Sequence, residues 1–536
     1  MNISPVRIAP LALPATPPAA PSSGASQDSF VAVTMLPQDP MISAPETVML
    51  PREQMGTQLS GPRLHTKDSI AVAQADSQGN YLVDISTPQF DQVNTYGVVA
   101  GTLLTYEKNI GHSIPWSFKG PLEVHPHAGD GKTAYYSRWD ESINFCQWDS
   151  PSLGKTVKTS QSFDVASHET GHAILDGLRP GLLAGRESKA FHEGFGDSSA
   201  ILHALQYDSN LEKILAENGG DFSKPSLVTR LAEEFGTAFN KEDDNPKNDD
   251  HPYYRTALNE FKYQDPNSLP SDSYPPSQPE EVLTNEPHSF SRIWSGAFYS
   301  MLGALYDQAA QAAETPLDAL KTARDALGTL WGRSLDQLPA ANLKFRQPAL
   351  AIMREANRLE QGRYFDSLAK VMLDRNLLTQ EQIDQAHQGP SDLRLSTPVA
   401  TAEQAQQALA ALAPGLGLEG QEWQADAPLA GSQGRQVLTF RSPQSVDLDL
   451  GALGPARMQL DSGLTLVFDQ QGLLLDQTYT PITRQDQQEA RAQAREIADS
   501  GGIALPGFAP SGSSHQARLR LEREGPPVFE LIPVWD

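Results

Sequence analysis

Residues 168–172 read His-Glu-Thr-Gly-His, and a Glu-x-x-x-Asp follows at Glu193 and Asp197. Two histidines four apart lie one above the other on a helix face, so both imidazoles can reach a single ion. Zn²⁺ takes neutral imidazole and carboxylate ligands in a tetrahedron, and catalytic sites leave the fourth position to water. Glu169 follows the first histidine, where it can reach that water as a general base without ligating the metal. Glu193 can supply a third ligand, and Asp197, one turn further on, can orient a ligating histidine from behind.

The flanks say what must position these groups. Phe163-Asp164-Val165-Ala166 and Ala173-Ile174-Leu175 make a helix that is apolar on several sides, the pattern of a buried central helix. A surface helix carrying two histidines is the bland alternative. Inside an apolar helix, two histidines and a glutamate need partners, and a metal shared with Glu193 supplies them. The segment from about Glu187 to Tyr207 is also helical in pattern, with Phe191, Phe195, Ile201, Leu202 and Leu205 on its packed side. Glu193 and Asp197 then share one face.

These residues resemble the thermolysin-like family of zinc metallopeptidases, of the gluzincin type. HETGH, followed by HEGFGDSSAI from His192, is similar to that family's ligand helix and glutamate-bearing helix. Phe90 to Gly111 resembles the long helix that opens the family's catalytic region. Thr133 to Phe145 looks like its substrate-binding edge strand and the strand after it, which implies substrate contacts at Ala134 and Tyr135. Tyr254 to Leu269 resembles the stretch whose arginine holds a substrate carbonyl, a role that falls on Arg255; a structural ion pair is the alternative. The resemblance covers about residues 65–385 and is most specific around the metal ligands.

Two departures bear on the transition state. The family places a tyrosine nine residues before its glutamate ligand, and here that position is Ala184. Its transition-state histidine precedes a Ser-Gly that opens a helix. His288 is the available histidine, but it sits farther from Ser295-Gly296 than the family pattern expects, and a gapless alignment puts Arg292 there instead. Either side chain can donate to a developing oxyanion.

The fold expected is α+β, a two-lobed thermolysin-like peptidase with a small C-terminal module. Residues 1–62 are Pro/Ala/Ser-rich and read as a disordered leader. Residues 63–159 mix short alternating runs with one helix and read as a β-rich N-terminal lobe. Residues 160–387 carry apolar side chains at three- and four-residue spacing, a helical lobe with the zinc helix at the floor of a cleft. After a turn-rich boundary, residues 400–536 read as an α+β module holding no ligand cluster, nucleophile constellation or phosphate loop. Substrate capture, inhibition of the cleft and plain packing are all open to it.

Composition narrows the partners. A net charge of -25 over 536 residues disfavours nucleic acid and anionic membrane surfaces. The single cysteine, Cys146, excludes an intramolecular disulfide and falls in an apolar strand-like run. No segment has the apolar length of a membrane span. The N-terminus lacks a readable signal peptide, since Arg7 is the only early basic residue and Pro10, Pro14, Pro17 and Pro18 break any apolar core. That reading points to a cytoplasmic protein or one exported by a signal-less route, and leaves its oligomeric state open. The acidic run at 241–252 suits a hard cation such as Ca²⁺, although it has no EF-hand spacing and reads equally as a solvated loop.

Three functions fit to different degrees. A zinc endopeptidase acting on protein or peptide substrates has zinc-bound water, activated by Glu169, attack a carbonyl polarised by the metal. A zinc aminopeptidase of related fold needs an acidic anchor for a free amine, and no motif supplies one. A non-catalytic binding protein on a degenerate peptidase scaffold fits Ala184 and the ambiguous position of His288, but not the intact HETGH and Glu193.

Overall fold

The computed structural model describes residues 29–242, 251–272, 280–387, 391–505, 516–522 and 525–535, and the fold is mixed α and β. At its centre runs the helix Pro88–Ile110, which Thr87 leads into and Gly111 ends in the left-handed conformation, at φ 85. Every residue from Phe90 to Leu103 is buried, so the helix is enclosed rather than amphipathic. Its buried Asp91 accepts hydrogen bonds from His127, Lys158 and Gln161. Burial pushes that carboxylate up, but these donors and the Lys158 charge outweigh it and hold it below its ordinary range. The cluster ties the central helix to the neighbouring sheet.

Among the described residues that sheet has six strands. Leu64–Thr66 pairs parallel with Leu122–Asp130, which pairs parallel with Ser142–Ser150. Ser142–Ser150 also takes Ala134–Ser137 and Lys155–Lys158, both antiparallel. Beyond Ala134–Ser137 lies one more antiparallel strand, Val534–Trp535, from the far end of the chain. On the other side of the central helix stand Phe163–Leu178, Arg186–Ala204, Pro287–Ala309 and Pro316–Ser334, joined in one hydrophobic core.

Part of the segment expected to be a disordered leader is folded. Residues 29–62 are folded: Phe30–Met35 and Glu46–Pro51 form an antiparallel hairpin. The cause is strand alternation, which aims Val31, Val33 and Met35 at the core, where Met35 and Val33 lie against Gly97 of the central helix. Proline and serine content masked this period-two signal. Residues 1–28 lie outside the described residues, and so do residues 243–250, which carry most of the acidic run considered for calcium.

The C-terminal module is built on a long antiparallel pair, Gln436–Asp449 with Pro455–Phe468, carrying the helices Ala402–Leu416 and Arg484–Asp499. It has its own hydrophobic clusters, yet Trp535 packs into the main core rather than into either of them. Among the described residues no helix is long and apolar enough to cross a membrane.

Candidate metal centre

Ser162 caps the helix Phe163–Leu178, its side chain accepting from the Val165 amide. This helix carries His168, Glu169 and His172, all buried. Arg186–Ala204 lies against it closely enough that two glycines are required. A Cβ on Gly171 would meet Ser199 Oγ at 2.5 Å, and one on Gly196 would meet the His168 ring at 2.6 Å. The close approach brings Glu193 to the histidines: His168 Nε2 is 3.3 Å from Glu193 Oε2, and His172 Nε2 is 3.7 Å from Glu193 Oε1.

One ligand atom from each of His168, His172 and Glu193 lies within 4.8 Å of the others. His168 Nε2 and both ring nitrogens of His172 are buried with no hydrogen-bond partner among the described residues. Stranding such atoms in a core costs about 1–3 kcal/mol each, and the three side chains together could hold a metal ion. Two imidazole nitrogens and a carboxylate oxygen are a donor set that suits Zn²⁺.

Asp197 lies behind His168. It accepts from His168 Nδ1 at 3.1 Å, leaving Nε2 toward the ligand cluster, and from Ser295 Oγ at 2.6 Å. Arg255, on the short strand Arg255–Thr256, lies 3.2 Å from Asp197 and 3.6 Å from Glu193. Burial pushes Asp197 up, but Arg255 and the His168 hydrogen bond overcome it and bring it down to about 2. Burial likewise opposes a charge on His168, and the Asp197 and Glu193 carboxylates reverse that, raising it to about 9. His172 lies far below its ordinary value through burial and the neighbouring histidine charges. The Asp197 and Glu193 carboxylates thus favour positive charge at His168, while His172 stays neutral.

The structure brings His288 to the cluster and keeps Arg292 away from it. His288 Nε2 is 3.1 Å from Glu193 Oε2, and its Nδ1 is 2.7 Å from Glu286 Oε1. Arg292, one turn along Pro287–Ala309, spends its donors on the backbone oxygens of Glu280, Val282 and Ser289 and lies over the Phe261 ring. It ties down a loop.

Ala134 lines a pocket of about 70 Å³ together with His168, Glu169, Arg255 and His288, walled by Val165, Phe235 and Tyr254. Tyr135 follows on the same strand, paired across to Asn144. Ala184 packs against the C-terminal module, in the cluster that includes Phe529 and Leu531. A small residue there makes room for the module.

Sequence reasoning missed Glu286, Ser295, His192 and Trp535. Glu286 had a readable signal, an N-cap acceptor followed by proline at the first helical position. Trp535 had none, because its partners are remote in sequence. No protein-family model matches the chain, and no curated protein is found similar to it.

Proposed function

We propose that this chain is a zinc-dependent endopeptidase of thermolysin-like, two-lobed architecture, with His168, His172 and Glu193 as metal ligands. The observation that carries the reading is the buried cluster of these three side chains, with His288 and Arg255 within 3.6 Å of Glu193 and with His168, Glu169, His288 and Arg255 lining one pocket. When bound, the metal polarises a substrate carbonyl and makes a water molecule acidic enough to ionise near neutral pH.

The chain's own residues do the rest. Glu169, next to His168, takes the proton of the attacking water and returns it to the departing amine. His288 is held by Glu286 with Nε2 toward the cluster, and donates to the carbonyl oxygen as negative charge builds there. Arg255 has Nε and Nη1 without a hydrogen-bond acceptor among the described residues, donors that suit a carbonyl of the substrate backbone. Asp197 fixes His168 in the ring orientation that a ligand needs. The Val165, Phe235 and Tyr254 walls suit an apolar side chain beside the scissile bond.

Incubation of the zinc-loaded protein with casein, followed by mass spectrometry of the fragments, tests this reading. Cleavage at internal bonds supports it. Trimming from N-termini favours an aminopeptidase, and no cleavage by the zinc-loaded protein and its Trp535→Ala variant counts against both.

A further inference from the structure

An edge strand exposes a row of backbone donors and acceptors, and enzymes and binding modules use such rows to hold extended peptides. Ala134–Ser137 is the strand that borders the ligand cluster. Its inner side pairs with Ser142–Ser150; on its outer side Tyr136 pairs with Trp535 and Ser137 with Val534. The Arg138 amide extends this ladder by donating to Pro533 O at 3.0 Å.

The Trp535 ring is as telling as its backbone. It stacks on His192 at 4.4 Å and on Tyr136 at 5.6 Å, and lies 6.1 Å from the ring of His172. Only 8% of it is exposed. The segment Leu531–Trp535 also walls a cavity of about 310 Å³ whose opposite side includes Lys189, Glu193, Glu286 and His288. The second pocket, beside Glu169 and Arg255, has no tail residue in its lining.

We propose that the segment Ile532–Trp535 occupies the strand position of an extended peptide substrate, closing one half of the cleft, and that Trp535 fills its aromatic side-chain subsite. This rests on the peptidase reading above. A substrate must then displace the tail, and the peptide that does so best is extended and places an aromatic side chain against His192 and Tyr136. The C-terminal module thereby acts as a tethered, reversible inhibitor of the site its last strand covers.

The test compares wild type with Trp535→Ala and with Trp535→Phe, which keeps a stacking ring. The probe is a fluorescent synthetic peptide with the sequence of residues 528–535, used alongside zinc removal by a chelator and casein cleavage. A tail closed about nine-tenths of the time masks the site about ten-fold. Trp535→Ala should therefore bind the peptide about ten-fold more tightly than wild type, with zinc loss and casein cleavage faster by a similar factor. Trp535→Phe should stay near wild type. A folded Trp535→Ala that binds no peptide and loses zinc at the wild-type rate overturns the proposal. If Trp535→Ala fails to fold, Val534→Asp, at a half-buried strand position, replaces it with the same expectations. Peptide binding and faster zinc loss without casein cleavage in any variant would support the tail contact and count against the peptidase reading alone.

Discussion

Glu286 and His288 form a unit in which one carboxylate does two jobs. Glu286 caps the helix Pro287–Ala309 by accepting from the Ser289 amide at 2.9 Å, and it holds His288 Nδ1 at 2.7 Å. Burial opposes a charge on His288, and the Glu193 and Glu286 carboxylates overcome that and raise it to about 9. The ring is thus held with Nε2 aimed at Glu193, 3.1 Å away.

His288→Ala should lower kcat and kcat/KM together by about a hundred- to a thousand-fold, with KM little changed, the signature of an interaction made only in the transition state. Arg292→Ala should instead reduce stability, because it releases three backbone oxygens and a ring contact, while the remaining folded enzyme keeps its kcat. Steady-state kinetics on both variants, paired with thermal melts, separates the two. The reverse pattern would return the donor role to Arg292.

Glu169→Gln should keep the fold and the zinc and lose hydrolysis, because only the base is removed. Asp197→Ala should act more mildly, costing about ten- to a hundred-fold in zinc affinity or activity. Near-normal turnover in Glu169→Gln would end the proposed mechanism.

Gly196→Ala places a methyl group 2.6 Å from the His168 ring. We expect a stability loss of about 1–3 kcal/mol from overpacking, with zinc affinity falling because the ring must swing. Melting temperature and a chelator titration report the two effects. A variant matching wild type in both would mean that the ring is less closely held than the structure indicates.

A buried acidic group beneath the ligand helix makes stability depend on pH. Burial raises Asp39 to about 7 and Asp164 to about 8, each also pushed up by a neighbouring carboxylate. Groups with folded values above their unfolded ones contribute stability that is complete below about pH 4 and lost as pH rises through 7 to 8. Wild type should therefore lose on the order of a few kcal/mol between pH 5 and pH 8 relative to Asp39→Asn, which carries one charge fewer. Denaturant melts at the two pH values give the difference directly. Parallel stability curves would show that the group carries its charge at no cost.

Local chemistry was the legible part of this protein. The 3.6-residue period located the helices carrying His168 and Glu193, and the four-residue spacing of Glu193 and Asp197 put both on one face. The choice between His288 and Arg292 was not legible, since they are one turn apart and spacing alone favours the arginine. Only the packing of Arg292 against the 280–282 loop removes it. The hairpin at Phe30–Met35 was hidden by the proline-rich sequence around it. The return of Val534–Trp535 to the Ala134–Ser137 edge is a pairing remote along the chain, set by how the module docks and by no local pattern.

The most direct test of the account is zinc content after dialysis against a mild chelator, measured by elemental analysis on wild type, Glu169→Gln and Glu193→Gln. The account predicts one zinc per chain in wild type and Glu169→Gln, and a marked loss in Glu193→Gln, which keeps the shape of the third ligand but not its charge. Zinc held as tightly by Glu193→Gln as by wild type would contradict the assignment of His168, His172 and Glu193 as the metal site.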